Sequence, residues 1–177
     1  LSVQWVWPSE SDYFARHDAL VQFCKLLAEV WLDFRVSGHP LEIGHEFIEN
    51  QLPQLRQTFN SERQFEPMPH LAALVAASVF DQAIHDAYGN VHSIDIYNTY
   101  GSDFLNRDLG WFFEGTQKIE PAFNGRYPDD YLVSEPPKRL PVWHLVGGLD
   151  PLVEAEKTGD EPFDGYPVVL EDWIERD

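Results

Sequence analysis

Apolar positions recur at three- and four-residue steps through the first half of the chain. Tyr13, Leu20, Phe23, Leu27, Val30, Trp31 and Phe34 fall on one helical face. That spacing predicts a long amphipathic helix ending near Ser37-Gly38. Ser9 or Ser11 is placed to cap its start, with Asp12 completing a capping-box-like turn. Ahead of it, VQWVWP (Val3–Pro8) is expected as a short aromatic strand or extended lead-in closed by Pro8. Ile43, Phe47, Ile48, Leu52 and Leu55 repeat the helical pattern, and Pro53 should break or kink that second helix. After a connector at Glu66-Pro67-Met68-Pro69 comes the strongest helical stretch, Leu71 to Asn90. It is rich in alanine and free of proline, with Gly89 expected as its C′ stop. From His92 to Lys138 the pattern weakens, and aromatics alternate with Gly, Pro and Asn. Short helices and loops are expected there.

The segment LPVWHLVGG (Leu140–Gly148) breaks the helical pattern. Val142–Val146 is apolar at nearly every position, as expected of a strand covered on both faces. A polar loop, EAEKTGDEPFDG, follows. Pro167 should then start a final helix, VVLEDWIERD, with Leu170, Trp173 and Ile174 on one face. Helices followed by strand, loop and helix look like the opening β/α unit of a parallel α/β domain.

Composition narrows the partners. With 177 residues the chain can bury a core. A net charge of −18 repels nucleic acid and anionic membranes, so neither is expected as a partner. No apolar run approaches the roughly 20 residues that cross a bilayer, and no signal-peptide pattern is present. Cys24 is the sole cysteine, so no disulfide can form within the chain. This fits a reducing compartment and an expected cytoplasmic location. Cys24 itself sits in the first helical pattern and is expected as an inert, buried thiol. The chain starts at Leu1 rather than at methionine, which suggests trimming, processing or an artificially chosen boundary.

Candidate chemistry is sparse. Asp81 and His85 are four apart on one helical face, with Asp86 beside them. They could contribute to a divalent-metal site, or make helix-surface hydrogen bonds with Asp86 anchoring a neighbouring backbone. His17, His39, His45, His70, His92 and His144 are scattered. His39 and His45 flank a helix start at a spacing that matches no metal motif, and His144 lies inside the expected strand. Glu154, Glu156, Asp160, Glu161 and Asp164 could bind a hard cation or form a solvated loop. Gly147-Gly148 follows a strand pattern without any phosphate-loop signature. From the residues alone, no catalytic, cofactor or metal residue can be assigned within the chain.

Two stretches carry a family likeness. SVFDQAIHDAYG (Ser78–Gly89) resembles the AIDIALWDLKGK helix of the enolase superfamily, in its mandelate racemase / muconate lactonizing enzyme branch. Asp81, Ala83, His85, Asp86 and Gly89 occupy the patterned positions. LPVWHLVGG resembles the segment leading into the first barrel strand of those enzymes, and Asp164–Asp177 resembles the helix after it. The stretch from Asn90 to Arg139 separates the two motifs more widely than is usual in that family.

The resemblance implies an α+β fold leading into α/β. Residues 1–139 would be the helical part of an N-terminal capping domain. Residues 140–177 would be the first strand and helix of an incomplete (β/α)8 (TIM) barrel. It further implies a Mg²⁺-dependent isomerase or lyase that abstracts a proton α to the carboxylate of a small substrate. The metal-binding and catalytic residues are expected beyond Asp177, so the chain alone should be inactive and bind no metal specifically. A homo-oligomer is compatible with this reading. Two alternatives remain: a stand-alone acidic helical binding or regulatory domain, and a small hydrolase using the scattered histidines and acids.

Overall fold

The computed structural model describes residues 3–64, 66–113, 123–141, 151–159, 161 and 165–176. The chain divides into two compact units, Leu1–Val133 and Ser134–Asp177.

The first unit is built around two long helices, α2 (Tyr13–Asp33) and α5 (His70–His92). The short helix α1 (Val3–Val6) packs against both. The pair α3 (Pro40–Glu46) and α4 (Leu52–Ser61) also packs on α5. Helix α5 is therefore the hub. Its alanines explain why: Ala72, Ala73, Ala76 and Ala77 are buried and let neighbouring backbones come close. The volume that alanine leaves is filled by large side chains of the other helices in the same core, among them Phe23, Leu27, Phe47 and Leu52. Trp31 stacks on Phe47 with ring centres 4.1 Å apart, and Phe34 meets Phe47 edge-on at 5.3 Å. Phe23 and Phe59 close the other side at 5.1 Å.

Several expected boundaries shift, each for a physical reason. Val3–Val6 is helical, not extended. No strand is present among the described residues to pair with it, and the Trp7 N–H instead closes a turn onto the Val3 carbonyl at 2.8 Å. The buried Arg16 guanidinium then donates to the Trp7 carbonyl and, at 3.1 Å, to Gln4 Oε1, which ties α1 to α2. Asp12, not Ser9 or Ser11, caps α2: its carboxylate accepts the Ala15 N–H at 2.8 Å. Both serine hydroxyls are taken by Glu66, the Ser11 bond measuring 2.8 Å. Those bonds, the Ser9 one first, hold the Glu66 carboxyl below its ordinary pKa.

The second expected helix is interrupted, as Pro53 required, but by widening and not by a break. Phe47–Gln51 forms a π turn in which the Leu52 N–H donates to the Phe47 carbonyl. Proline has no N–H to continue the α ladder, and its ring would clash with the carbonyl four residues back. The looser turn relieves that clash and lets α4 continue. Beyond α4, Asn60 fixes the connector: its side chain accepts the Met68 N–H at 2.8 Å and donates to the Met68 carbonyl at 3.1 Å. Met68 is thereby held in the core.

Helix α5 does not stop at Gly89. It runs on to His92, and Ser93 takes the left-handed conformation at φ 54°. Gly89 is buried inside the helix because a Cβ there would lie 3.0 Å from the Ile94 carbonyl oxygen. The chain then turns into a 3₁₀ segment, Ile96–Thr99, which packs back on α5. A short α6 (Leu109–Phe112) follows, capped by Asp108.

The second unit contains a 3₁₀ turn, Glu154–Glu156, and helix α7 (Leu170–Arg176). The start of α7 is tied to residues 151–152 through the Leu170 N–H on the Pro151 carbonyl at 3.2 Å. The helix begins later than Pro167 suggested.

The expected fold class is not supported. The described residues are mostly helical and include no strand, and no β/α unit of a barrel is seen. The expected strand, Val142–Val146, lies outside the described residues. The described backbone is paired within helices and local turns, and among the described residues no ladder is formed that a barrel strand could join. Backbone N–H groups of this unit close local turns instead, such as Glu156 onto the Val153 carbonyl at 3.0 Å.

Candidate functional site

The densest group of titratable and aromatic side chains lies where α3, α5 and the Ile96–Thr99 turn meet. Its centre is His39, which is 1% exposed. His39 is the N-cap of α3, with Pro40 at the first helical position and Glu42 at the third. The Leu41 N–H donates to His39 Nδ1 at 3.1 Å, and the His39 N–H donates to Glu42 Oε2 at 3.0 Å. This is a capping box in which an imidazole replaces the usual hydroxyl. The other ring nitrogen, Nε2, lies 2.9 Å from Thr99 Oγ1. Thr99 already donates its hydroxyl proton to the Ile96 carbonyl at 2.6 Å. The network therefore assigns the proton of His39 to Nε2, which donates to Thr99, and leaves Nδ1 as an acceptor.

Both nitrogens of His39 are thus committed, and the ring is enclosed by Tyr88, Tyr100 and His85 with ring centres 5.0, 5.6 and 6.2 Å away. Burial, followed by the neighbouring His85, pushes its pKa down to about 4 against a smaller upward pull from Glu42. His39 is a neutral structural latch, not a general base.

Asp81 and His85 do come together, as their spacing implied. His85 Nδ1–H donates to the Asp81 carbonyl at 2.8 Å and lies 3.8 Å from Asp81 Oδ2. Nε2 is left as an acceptor with no hydrogen-bond partner among the described residues. Asp81 Oδ1 occupies the space a Cβ on Gly44 would need, at 2.5 Å, so that glycine lets α3 approach α5. Asp86 accepts from the Asn90 side chain at 3.1 Å and anchors no backbone among the described residues. Burial first, then Tyr97 and Asp81, raise the Tyr100 pKa, which keeps its phenol protonated. Chemically the cluster offers one imidazole acceptor and one phenol donor. Among the described residues no group of three His, Cys, Asp or Glu side chains can hold a metal ion.

The other histidines are dispersed. His17 stacks on Tyr13 at 6.4 Å, and His45 packs against Trp111 and Phe112 at 5.0 and 5.2 Å. His92 lies on Tyr88 at 4.4 Å, and His70 starts α5. His144 and Gly147-Gly148 lie outside the described residues. Cys24 is partly buried, and burial raises its thiol pKa, which disfavours the thiolate. Within the acidic segment, Glu154 pairs with Lys157 at 2.6 Å and Glu156 accepts the Leu152 N–H at 2.6 Å. Glu161 accepts from Thr158 Oγ1 at 3.0 Å and from the Gly159 N–H at 2.9 Å. These carboxylates shape turns. Asp160 and Asp164 lie outside the described residues.

Glu42, Thr99 and Asn106 had not been singled out. Glu42 also accepts from the Asn106 backbone and side chain, both at 2.9 Å, and so pins a distant loop to α3. Its signal was present: His39-Pro40 followed by Glu42 is a helix-start pattern. Thr99 and Asn106 carry no local signal, because the partners that tie them to the site, His39 and Glu42, are remote in sequence.

Compared with known proteins, the chain matches no family model, no curated protein and no solved structure at a significant level. Among the described residues no helix is long and apolar enough to cross a membrane.

Proposed function

We propose that the helical unit Leu1–Val133 is a capping, substrate-shaping module of a metal-dependent enzyme of the enolase superfamily, mandelate racemase / muconate lactonizing branch. The parent reaction would abstract a proton α to the carboxylate of a small substrate. The observation that carries this reading is the use made of the Ser78–Gly89 motif. Asp81 fits against Gly44 of α3, and Gly89 admits the Ile94 carbonyl. Patterned positions of the motif thus serve close packing around α5, which is what a scaffold helix needs. The described residues do not fit Mg²⁺, so the ion and the proton-abstracting groups would be supplied outside them.

The test is α-proton exchange in D₂O, followed by NMR over a panel of small carboxylic acids. The polypeptide encoded together with its downstream reading frame should exchange in the presence of Mg²⁺ and stop when EDTA is added. The 177-residue chain should not exchange. Absence of exchange across the panel, or exchange indifferent to EDTA, overturns the reading.

A second reading, an acidic helical binding or regulatory module without catalysis, is favoured by one observation. The first unit closes its own core, with Val3, Trp7, Phe23, Leu27 and Phe47 buried together. Cooperative melting of the 177-residue chain, with no exchange by the longer product, would favour it.

A further inference from the structure

One cleft of the first unit carries opposite charges that do not neutralise each other. It has a volume of about 430 Å³ and is lined by Ala15, Ala19, Gln22, Glu62, Arg63 and Gln64. The Arg63 guanidinium carbon lies 5.4 Å from the ring centre of Trp7 and 5.2 Å from that of Phe59. Its Nε is buried with no hydrogen-bond partner among the described residues. Acidic residues outnumber basic ones 30 to 12 in this chain. Even so, the described salt bridges pair no carboxylate with Arg63, Glu62 of the same cleft included. The side chains of Gln22, Glu62 and Gln64 likewise form no hydrogen bond to another described residue.

We propose that this cleft binds a small zwitterion of the free α-amino acid type, its carboxylate on Arg63 and its ammonium on Glu62. A guanidinium is a planar fork that takes a carboxylate through two parallel N–H bonds. The Trp7 and Phe59 rings hold that fork in place, so little ordering is left to be done on binding. A simple anion would be repelled by the net charge of −18 and would leave Glu62 unused. A simple cation would leave Arg63 unused. A zwitterion has no net charge, so the long-range repulsion vanishes while both local attractions remain. The amides of Gln22 and Gln64 can donate to the carboxylate or accept from the ammonium. Ala15 and Ala19 add methyl groups to the lining, suited to a short aliphatic ligand side chain. Burial pulls Arg63 below its ordinary pKa, and a carboxylate would restore it.

The test is an NMR titration of the 177-residue chain with L-alanine, using propionate and ethylammonium as its two halves. Alanine should produce saturable shifts at Ala15, Gln22 and Arg63 in the millimolar range, with each half at least about tenfold weaker. Arg63→Gln and Glu62→Gln should each weaken alanine binding about tenfold. Arg63 packs on Trp7 and Phe59, so Arg63→Gln could fail to fold. Gln64→Glu avoids that risk: it adds a second carboxylate beside Arg63 and should also weaken alanine. The proposal is overturned by no saturable shift up to about 50 mM alanine, or by either half binding as tightly as alanine. Unchanged affinity in both Glu62→Gln and Gln64→Glu overturns it as well.

Discussion

Protonating His39 should weaken the first unit, and the size of the effect follows from the geometry. In the folded chain Nδ1 accepts the Leu41 N–H and Nε2–H donates to Thr99. A second proton on Nδ1 would turn that acceptor into a donor facing another donor. It would also place a cation in a buried site beside His85. The folded pKa of about 4 is depressed from the ordinary value of 6.5. A depressed folded pKa means the unfolded chain binds the proton more readily. Stability from this group is therefore complete above pH 6.5 and is lost as pH falls towards 4. The difference in pKa corresponds to about 3 kcal/mol.

The assay is urea unfolding of the wild type and of His39→Asn at several pH values from 7 to 4, read by tryptophan fluorescence. Asparagine can still cap Leu41 but cannot gain the proton. The variant should cost about 1–3 kcal/mol at pH 7 through loss of the Thr99 bond. Wild type should then lose about 3 kcal/mol that the variant keeps as pH reaches 4, so the gap closes and the variant becomes as stable as wild type or more so. Carboxylates away from His39 that titrate over the same range contribute equally to both proteins and cancel. Parallel loss of stability in the two would refute the argument.

Three further perturbations probe the packing. Phe47→Ala removes the ring stacked on Trp31 and should cost about 3–5 kcal/mol in denaturant unfolding. Asn60→Ala deletes both of its bonds to Met68 while the Arg56 guanidinium stays on the Met68 carbonyl at 3.2 Å, and a loss of about 2 kcal/mol is expected, with faster protease cleavage at the connector. Gly89→Ala should destabilise by about 1 kcal/mol despite alanine's better helix propensity, because its Cβ would press on the Ile94 carbonyl. A rise in melting temperature for that variant would show that the turn yields.

What could be read from the sequence was whatever depended on local periodicity. The long helices α2 and α5 follow from the spacing of Phe23, Leu27 and Trp31 and from the alanines after Leu71. Pro53 announced a disturbance, though not that it would widen a turn and leave the helix running. Features set by remote partners were hidden. Ser9 and Ser11 looked like caps because nothing local showed that Glu66 would take their hydroxyls. Gly89 looked like a stop because a glycine that admits a carbonyl and one that ends a helix read alike. Much of the candidate cluster was in view as isolated letters, His39, Asp81 and His85, but Thr99 and Glu42 were what gave His39 its role. The α/β fold class was inferred from the apolar run at Val142–Val146, which lies outside the described residues, and hydropathy there says nothing of the helical packing that the described residues show.

The hub position of α5 has a consequence for synthesis. Helices α1, α2, α3 and α4 all precede it in the chain and all rest on it. During translation Phe23, Leu27, Phe47 and Leu52 have been made, but the alanine face that completes their burial has not. That face emerges only once the ribosome has passed His92. Until then the nascent chain presents an open apolar groove, the kind of surface chaperones and aggregates both recognise. A pause in translation while α5 is still inside the ribosome should therefore lower the soluble yield more than a pause after α5 has fully emerged.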